Sequence, residues 1–287
     1  MLSSRLISGV MLLSVMLCSC AKDKPLDSNS GRSHVISVPG AASTIQAALD
    51  LGSDCDTVLV APGEYTGPGN YELDFAGKAI TLRSAAGPLE TVINVGGTLE
   101  SPRRAFDLSS GEDSSTIIEG FTIRNGYNSS AAAMQLLSAS PLIRHCIFVD
   151  NWAAVSGGAI RCKNSSPRLE NCTFVANYAP TGAAVFCIAT SSPVFENCIF
   201  AYNREGSAFY VSDAGSQPTL DCCNLFDNEG GDWLTIEDQV LANQNMSLAP
   251  GFCSLATDDF RLHNDSPCLP ANNDCGELVG AVNVTCD

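Results

Sequence analysis

Residues 141–151 read Pro-Leu-Ile-Arg-His-Cys-Ile-Phe-Val-Asp-Asn, and the segments 167–177, 193–203 and 218–228 repeat this pattern. Each copy starts with Pro and carries Cys five residues later, a large apolar residue seven later and Asn ten later. The copies start 26, 26 and 25 residues apart, and a weaker copy starts at Thr116. A fixed short period indicates a solenoid, in which each unit buries its apolar face against its neighbours.

Two kinds of solenoid fit this period. A leucine-rich repeat matches the first half of each unit in form, but its second half needs a helical or irregular return with its own apolar residues. Here the second halves are the runs 157–162, 182–187 and 206–211, which start with Gly and continue with β-branched or aromatic residues. Such runs are typical of strands. The sequence therefore predicts an all-β fold, a right-handed parallel β-helix.

In a parallel β-helix, residues one period apart become neighbours at the sheet spacing of about 4.8 Å. The Asn of each copy should then form a structural ladder at one corner, comprising Asn151, Asn177, Asn203 and Asn228. Asn tolerates left-handed backbone angles, and its amide can bond to the next copy in the stack. We expect this ladder to support the fold rather than chemistry.

The chain before the repeats continues in the same style. The segments 56–65, 78–83 and 91–95 predict three further strands. Ser43-Thr44-Ile45-Gln46 has the form of a capping box and predicts a short amphipathic helix that ends at Leu51. A solenoid exposes its first turn to water, so this helix is expected to be an N-terminal cap.

These motifs carry a resemblance to a known family. Thr-Ile-Gln-Ala-Ala-Leu at 44–49, the segment 56–65, Glu-Gly-Phe-Thr-Ile-Arg-Asn-Gly at 119–126 and the repeated Pro-x-x-x-x-Cys-x-Phe-x-x-Asn resemble bacterial right-handed parallel β-helix proteins of the pectin-lyase-like superfamily. The resemblance covers about residues 35–230. It implies polysaccharide lyases, hydrolases or esterases, but equally cell-surface proteins with no assigned activity, so the fold alone does not choose a function.

The resemblance also implies where a hydrolase would carry its motifs. Hydrolases of this superfamily show Asn-Thr-Asp, Asp-Asp, His-Gly and Arg-x-Lys in that order. This chain has Asp258-Asp259, but in its C-terminal tail, and it lacks Asn-Thr-Asp and His-Gly. Arg161-Cys162-Lys163 has the form Arg-x-Lys, but it precedes Asp258-Asp259 instead of following it. That departure argues against a polygalacturonase-type hydrolase, and no catalytic residue is assigned.

The N-terminal residues predict export. An apolar stretch at 6–17 is too short to span a membrane and is typical of a signal peptide, here 1–19. Leu17-Cys18-Ser19-Cys20 resembles a bacterial lipobox, which makes Cys20 the expected lipidated residue and 20–33 a polar tether. A lipid would be the only membrane anchor. The expected location is the bacterial cell envelope, as an outer-membrane or surface lipoprotein; the alternative is an ordinary cleaved signal and a secreted protein.

The remaining chain divides into a β-helix at 34–250 and a C-terminal cap at 251–287. The cap is rich in Pro, Asn and Asp and contains Cys253, Cys268, Cys275 and Cys286, from which we expect two disulfides of open pairing. The cysteines of the repeated column should face inward and stay reduced, as small apolar residues.

The charge of the chain limits its partners. The formal net charge is −16. Such a surface repels nucleic acid, and it repels acidic polysaccharides unless a cation bridges the two. No nucleic-acid partner is expected.

One column of carboxylates is a candidate metal site. The position three after each Pro holds Arg144, Glu170, Glu196 and Asp221, and Glu119 lies one turn earlier. Glu170, Glu196 and Asp221 offer carboxylate oxygens that can bind calcium, and no other cofactor is expected. The favoured alternative is a solvated corner in which Arg144 offsets Glu170 and water screens the rest.

The sequence therefore favours a lipid-anchored β-helix that acts by surface binding or display, toward polysaccharide or other cell-envelope partners. This hypothesis rests on two features of the sequence: the repeats predict a complete β-helix, and the catalytic residues of the related enzymes are incomplete. The alternative is a carbohydrate-active enzyme of the polysaccharide lyase or epimerase type, with the acidic column, calcium and Arg124, Arg144 or Lys163 as base.

Overall fold

The structure is a computed structural model that describes residues 33–240, 242–283 and 285–286. The signal peptide, Cys20 and nearly all of the tether lie outside the described residues, so export and lipid attachment stay predictions. Within the described part, no helix has the length and apolar character that a membrane crossing requires.

Nearly all regular elements of the described chain are short strands. The first coils contain β1 (Val35–Val38), α1 (Ile45–Leu51), β2 (Thr57–Val60), β3 (Gly63–Tyr65), β4 (Thr81–Ser84), β5 (Thr91–Asn94), β6 (Phe106–Leu108), β7 (Ile117–Glu119), β8 (Thr122–Arg124), β9 (Tyr127–Ser130) and β10 (Met134–Leu137). The repeats contain β11 (Leu142–Arg144), β12 (Ile147–Val149), β13 (Trp152–Ser156), β14 (Ile160–Lys163), β15 (Arg168–Glu170), β16 (Thr173–Val175), β17 (Tyr178–Ala179), β18 (Val185–Ile188), β19 (Val194–Glu196), β20 (Ile199–Ala201), β21 (Arg204–Glu205), β22 (Phe209–Val211), β23 (Thr219–Asp221) and β24 (Asn224–Phe226). The tail contains β25 (Phe252–Ser254), β26 (Asp259–His263), β27 (Thr285–Cys286) and three 3₁₀ turns, Glu237–Gln239, Leu255–Thr257 and Pro270–Asn272.

Four parallel sheets form the walls of the solenoid. Sheet A has the order β1-β2-β4-β7-β11-β15-β19-β23, and sheet B the order β24-β20-β16-β12-β8-β5-β3. Sheet C is β22-β18-β14-β10-β6, and sheet D is β21-β17-β13-β9. The second half of each repeat is thus a strand of sheet C, which confirms the parallel β-helix over the leucine-rich repeat.

The repeated apolar residues fill the interior. Cys146, Cys172, Cys198 and Cys223 are fully buried free thiols. Beside them, the rings of Phe148, Phe174 and Phe200 stack with centroids 4.8 and 4.6 Å apart. Burial raises the pKa of the Cys146 thiol well above its usual range. The column packs inside the solenoid as predicted, with its thiols free.

The N-terminal cap is also present. Helix α1 buries Ile45, Ala48 and Leu49 and contacts β1 and β2. Its N-cap is Thr44, whose side chain accepts a hydrogen bond from the backbone N–H of Ala47. The capping-box form starting at Ser43 was wrong by one residue, because the Gln46 amide turns away and donates to Asp50 and to the backbone of Asp74.

The four asparagines form a continuous buried ladder. The side-chain amide of Asn151 donates to the Oδ1 atom of Asn177 at 3.0 Å, Asn177 to Asn203 at 3.0 Å, and Asn203 to Asn228 at 2.7 Å. The expectation of left-handed backbone at these residues was wrong. The residue before each Asn has that conformation, at φ 51–58°: Asp150, Ala176, Tyr202 and Asp227. The turn is made one position earlier, which aims each amide along the stack.

The tail is stapled by two disulfides, but not from the four cysteines expected. Cys253 pairs with Cys286, whereas Cys275 pairs with Cys222 of the last repeat, with Cα atoms 6.1 Å apart. Cys268 is free and fully buried. The physical reason is that Cys268 packs against Ile199 and Ala201 as a small apolar residue. Cys275 pairs with Cys222 instead, and this disulfide links the cap to the coils.

The tail also covers the outer face of sheet B. Ala281 and Val282 pack on Ile147, Val149 and Val175. Two backbone hydrogen bonds fix the path: the N–H of Gly280 donates to the Asn197 carbonyl at 2.7 Å, and the N–H of Ala281 donates to Thr173 Oγ1 at 2.9 Å. The described part of the tail, 251–283 and 285–286, is therefore both an end cap and a strap along one wall.

Candidate functional site

The acidic column is present on the outer face of sheet A. Glu170 lies in register with Arg144 and Glu196, and Glu196 with Asp221. Arg168 bridges two of the acids, with Nε 2.6 Å from Glu170 and Nη2 2.6 Å from Glu196. The expected partner was wrong, because Arg144 pairs with Glu119 at 2.9 Å rather than with Glu170.

Arg168 changes what this column can do. Its charge offsets the repulsion between Glu170 and Glu196 from within the sheet, and the hydrogen bond to Glu170 raises the pKa of Arg168. Among the described residues, the one group of three metal-ligand atoms lying within 4.8 Å of one another is Cys253, His263 and Cys286, not the acids. Two of those three ligands are joined in a disulfide. Calcium at Glu170, Glu196 and Asp221 stays a prediction for experiment.

We expect calcium to leave the melting temperature unchanged. A calcium ion must displace Arg168 to reach the two carboxylates, so its binding affinity should be low. The stabilisation RT ln(1 + [L]/Kd) then stays near zero at millimolar calcium, and the melting temperature should shift by less than about 1 °C. The measurement is a thermal melt in calcium and in chelator. The matched variant Arg168→Gln frees both carboxylates. If calcium raises the melting temperature of that variant alone, the Arg168 guanidinium occupies the place that a bound cation would take. A chelator-sensitive rise in the parent protein would contradict the expectation.

The three arginine and lysine bases proposed for a lyase do not converge. Arg124 is in β8 of sheet B, Arg144 in β11 of sheet A and Lys163 in β14 of sheet C. Arg124 is paired with Asp258 at 3.1 Å and Arg144 with Glu119. Only Arg144 adjoins the acidic column, and it does so as an ion-pair partner. No catalytic set is assembled among the described residues of sheet A.

A second charged cluster joins the tail to the coils. Asp258, which the sequence places in the tail, reaches Arg124, and the neighbouring Asp150 pairs with Arg204 at 2.9 Å. Burial raises the pKa of the Asp150 carboxyl, and the Asp258 charge adds to that rise while Arg204 opposes it. Each carboxylate has an arginine partner, so the cluster fastens the strap to the corner beside sheet D.

Three aromatic rings form an outward strip on sheet D, which we call the ring strip: Tyr127, Trp152 and Tyr178. Their backbones are in register, and all three side chains are partly exposed. The Trp152 ring lies 4.5 Å from Tyr127 and 4.8 Å from Tyr178, within 10° of parallel. Arg204 is the backbone neighbour of Tyr178 on the next strand of the same column. At the other end, the backbone of Arg103 forms a bridge with that of Tyr127.

The spacing of these rings leaves apolar surface open. Parallel rings touch at about 3.5 Å, so centroids 4.5 and 4.8 Å apart are offset by roughly 3 Å. The rings therefore overlap only in part, and the three partly exposed side chains present one continuous aromatic edge to solvent. The sequence interpretation missed the strip, although its signal was available: Trp152 and Tyr178 each follow a ladder Asn directly, 26 residues apart.

The comparison with protein families agrees with this architecture. Residues 107–245 match the family model described as "Right handed beta helix region". No curated protein matches the chain. With its four parallel sheets, the chain is a right-handed parallel β-helix protein, as the resemblance to the pectin-lyase-like superfamily implied.

Proposed function

We propose that this protein is an exported, lipid-anchored β-helix that binds cell-envelope or other glycans through the ring strip. The observation that carries the proposal is the row of partly exposed, offset rings at Tyr127, Trp152 and Tyr178. Pyranose rings present C–H faces that pack on aromatic rings, and contiguous exposed aromatic surface marks an interaction site.

The polar groups around the strip support a sugar ligand. The backbones of Arg204 and Arg103 lie in register at its two ends. Arg204 donates a hydrogen bond to Asp150, and the Arg103 guanidinium lies 4.5 Å from the Tyr71 ring centroid. Sugar hydroxyls need such donors and acceptors beside the apolar surface, because binding sites combine an apolar wall with a few polar groups. Sheet D runs along the solenoid axis, so a chain of sugars fits the strip better than a single one.

Truncating Trp152 tests the proposal. Trp152→Ala removes the central ring of the strip, and we expect binding to weaken about two- to tenfold, since an aromatic contact with the sugar contributes about 0.5–1.5 kcal/mol. The measurement is tryptophan fluorescence and affinity electrophoresis with peptidoglycan fragments and soluble neutral polysaccharides.

The second tryptophan is the control. Trp233 packs against the core and donates to Ser247 Oγ at 2.8 Å, away from the strip. Trp233→Phe should retain both the affinity and the fluorescence response from Trp152. Affinity that is unchanged in Trp152→Ala, or that falls equally in both variants, would reject the ring strip as the binding surface.

Anchoring and activity need separate tests. The lipid anchor rests on the lipobox resemblance, and Cys20→Ala should release the protein from the membrane fraction and abolish labelling with a radioactive fatty acid. The alternative function, a polysaccharide lyase or epimerase, requires a base that is free to act. Lys163, which has no ion pair with the described residues, is the one of the three proposed bases that meets this requirement. New unsaturated ends absorbing in the ultraviolet, lost on Glu196→Gln, would favour the enzyme.

A further inference from the structure

Three side chains of the tail bring metal-ligand atoms together on one small sheet. Strands β25, β26 and β27 are neighbours in that order, and they contribute Cys253, His263 and Cys286 respectively. His263 and Cys286 are in register on parallel strands. The ligand atoms of all three side chains lie within 4.8 Å of one another. Two sulfurs and an imidazole nitrogen are a donor set typical of zinc.

The distance between the imidazole and one sulfur suits a shared metal ion. Cys286 Sγ lies 3.5 Å from His263 Nδ1. Zinc binds sulfur at about 2.3 Å and imidazole nitrogen at about 2.0–2.1 Å in a tetrahedron, which places those two ligand atoms about 3.5–3.6 Å apart. The pairing of β26 with β27 therefore positions one edge of a tetrahedral site.

The disulfide between Cys253 and Cys286 excludes a metal ion from this group. The thiolate is the form of cysteine that binds a metal, and a disulfide sulfur is not a thiolate. Two sulfurs of a tetrahedral zinc site lie about 3.8 Å apart, so the S–S bond must break before both can bind. A change of rotamer at either cysteine then separates the sulfurs. The redox state of this one pair thus controls access of the metal.

The surroundings leave the group open to a reductant and to a metal ion. His263 is exposed, and both cysteines are partly exposed. Asp259, on the same strand as His263, is held by Arg261 at 2.6 Å, so water is the expected fourth ligand. The formal net charge of −16 attracts cations to the protein surface and favours their entry.

We propose that Cys253, His263 and Cys286 form a redox-gated zinc site. A thiol reductant breaks the S–S bond, is itself oxidised to a disulfide, and leaves two cysteine thiols. Zinc then binds both sulfurs and His263 Nδ1, and the two thiol protons pass to solvent. The end of the tail stays fastened in both states, because β25 and β27 are joined by a disulfide in one and by zinc in the other. The site contains no residue of the ring strip, so its test is independent of glycan binding.

The test is metal titration of the full chain in its oxidised and reduced forms. The protein is reduced with a phosphine, which is removed by anaerobic gel filtration, and Co²⁺ is added as a spectroscopic probe with Zn²⁺ as competitor. We expect the reduced form to bind one Co²⁺ more than the oxidised form, with the sulfur-to-metal and d–d bands of a tetrahedral thiolate site. Its zinc affinity should be at least a hundredfold higher. Equal zinc affinity in the two forms overturns the proposal.

Variants assign the metal to these side chains. His263→Gln removes one ligand and should weaken zinc binding to the reduced chain at least tenfold. Because His263 is exposed, this variant is expected to fold. His34→Gln is the matched control: His34 is also exposed, lies beside Asp56 at the other end of the solenoid, and should be replaceable without loss of zinc affinity. Parent affinity in reduced His263→Gln would contradict the assignment.

The second disulfide is opened by the same reductant and needs its own control. Among the described residues, Cys222 and Cys275 belong to no group of three clustered ligand atoms. The double variant Cys222→Ser, Cys275→Ser should therefore keep zinc binding that depends on reduction. If it loses that binding while His263→Gln retains it, the metal binds at the wrong pair and the proposal fails. If the double variant does not fold, His263→Gln alone decides.

Discussion

Asn177→Leu is expected to lower the free energy of unfolding by roughly 3–9 kcal/mol. Asn177 is fully buried. Its Oδ1 accepts hydrogen bonds from the backbone N–H and the side-chain amide of Asn151, at 3.2 and 3.0 Å, and its own amide donates to the Phe148 carbonyl at 2.9 Å. Leucine is the larger residue and cannot donate to Asn203 Oδ1, which still accepts a hydrogen bond from the Asn177 backbone N–H. It leaves two donors and one acceptor unsatisfied. Each costs about 1–3 kcal/mol when buried.

Urea denaturation measures this effect, and a second asparagine controls for it. Asn128 lies in β9, is partly exposed, and its side chain bonds to the adjacent Ser129. Asn128→Leu should change stability by no more than about 0.5 kcal/mol, as expected for a surface substitution. A loss below about 1 kcal/mol for Asn177→Leu would mean that water or a backbone shift satisfies the ladder, and that the corner does not depend on asparagine.

The repeat made most of the fold predictable. The strands of a parallel β-helix stack in register, so a period of 25–26 residues fixes which side chains become neighbours. That is why the Asn ladder, the inward Cys column and the Phe148–Phe174–Phe200 stack could be placed from the sequence. The same logic placed Glu170 beside Glu196.

Features that depend on side-chain reach or on the tail could not be placed in this way. Arg168 lies two residues before Glu170 on the same face, but its pairing with both Glu170 and Glu196 depends on the conformation of a long side chain. Cys275 pairs with Cys222 because the tail returns to the last repeat, and no period describes that path. One signal was present but unused. The strands at 147–149 and 199–201 are apolar at every position, which is typical of a sheet covered on both faces.

The strap along sheet B also explains why the ring strip, the proposed binding surface, lies on another wall. Strands β12 and β16 of sheet B are covered by Phe260, Ala281 and Val282. Sheet A presents carboxylates that are largely matched by Arg144 and Arg168. Sheet D carries three partly exposed aromatic rings in register. Ligand contact on this solenoid is therefore expected on sheet D.

Phe174→Ala is expected to lower the free energy of unfolding by about 3–5 kcal/mol, the range for a large buried side chain cut to a methyl group. The Phe174 ring is fully buried between Phe148 and Phe200 and meets the edge of Phe195 at 6.4 Å. The backbone ladders above and below limit collapse of the walls into the space left, so the cavity should persist. Urea denaturation of the variant measures the loss.

Phe174→Leu is the matched control, because the same column already carries Leu225 in its last copy. Leucine retains most of the volume, so we expect a loss of less than about 1.5 kcal/mol. The difference between the two variants isolates the cavity and the ring stacking from the change of residue type. Equal losses for Ala and Leu would show that aromatic stacking, rather than filled volume, holds the column. A loss below about 1 kcal/mol for Phe174→Ala would contradict the close-packed interior itself.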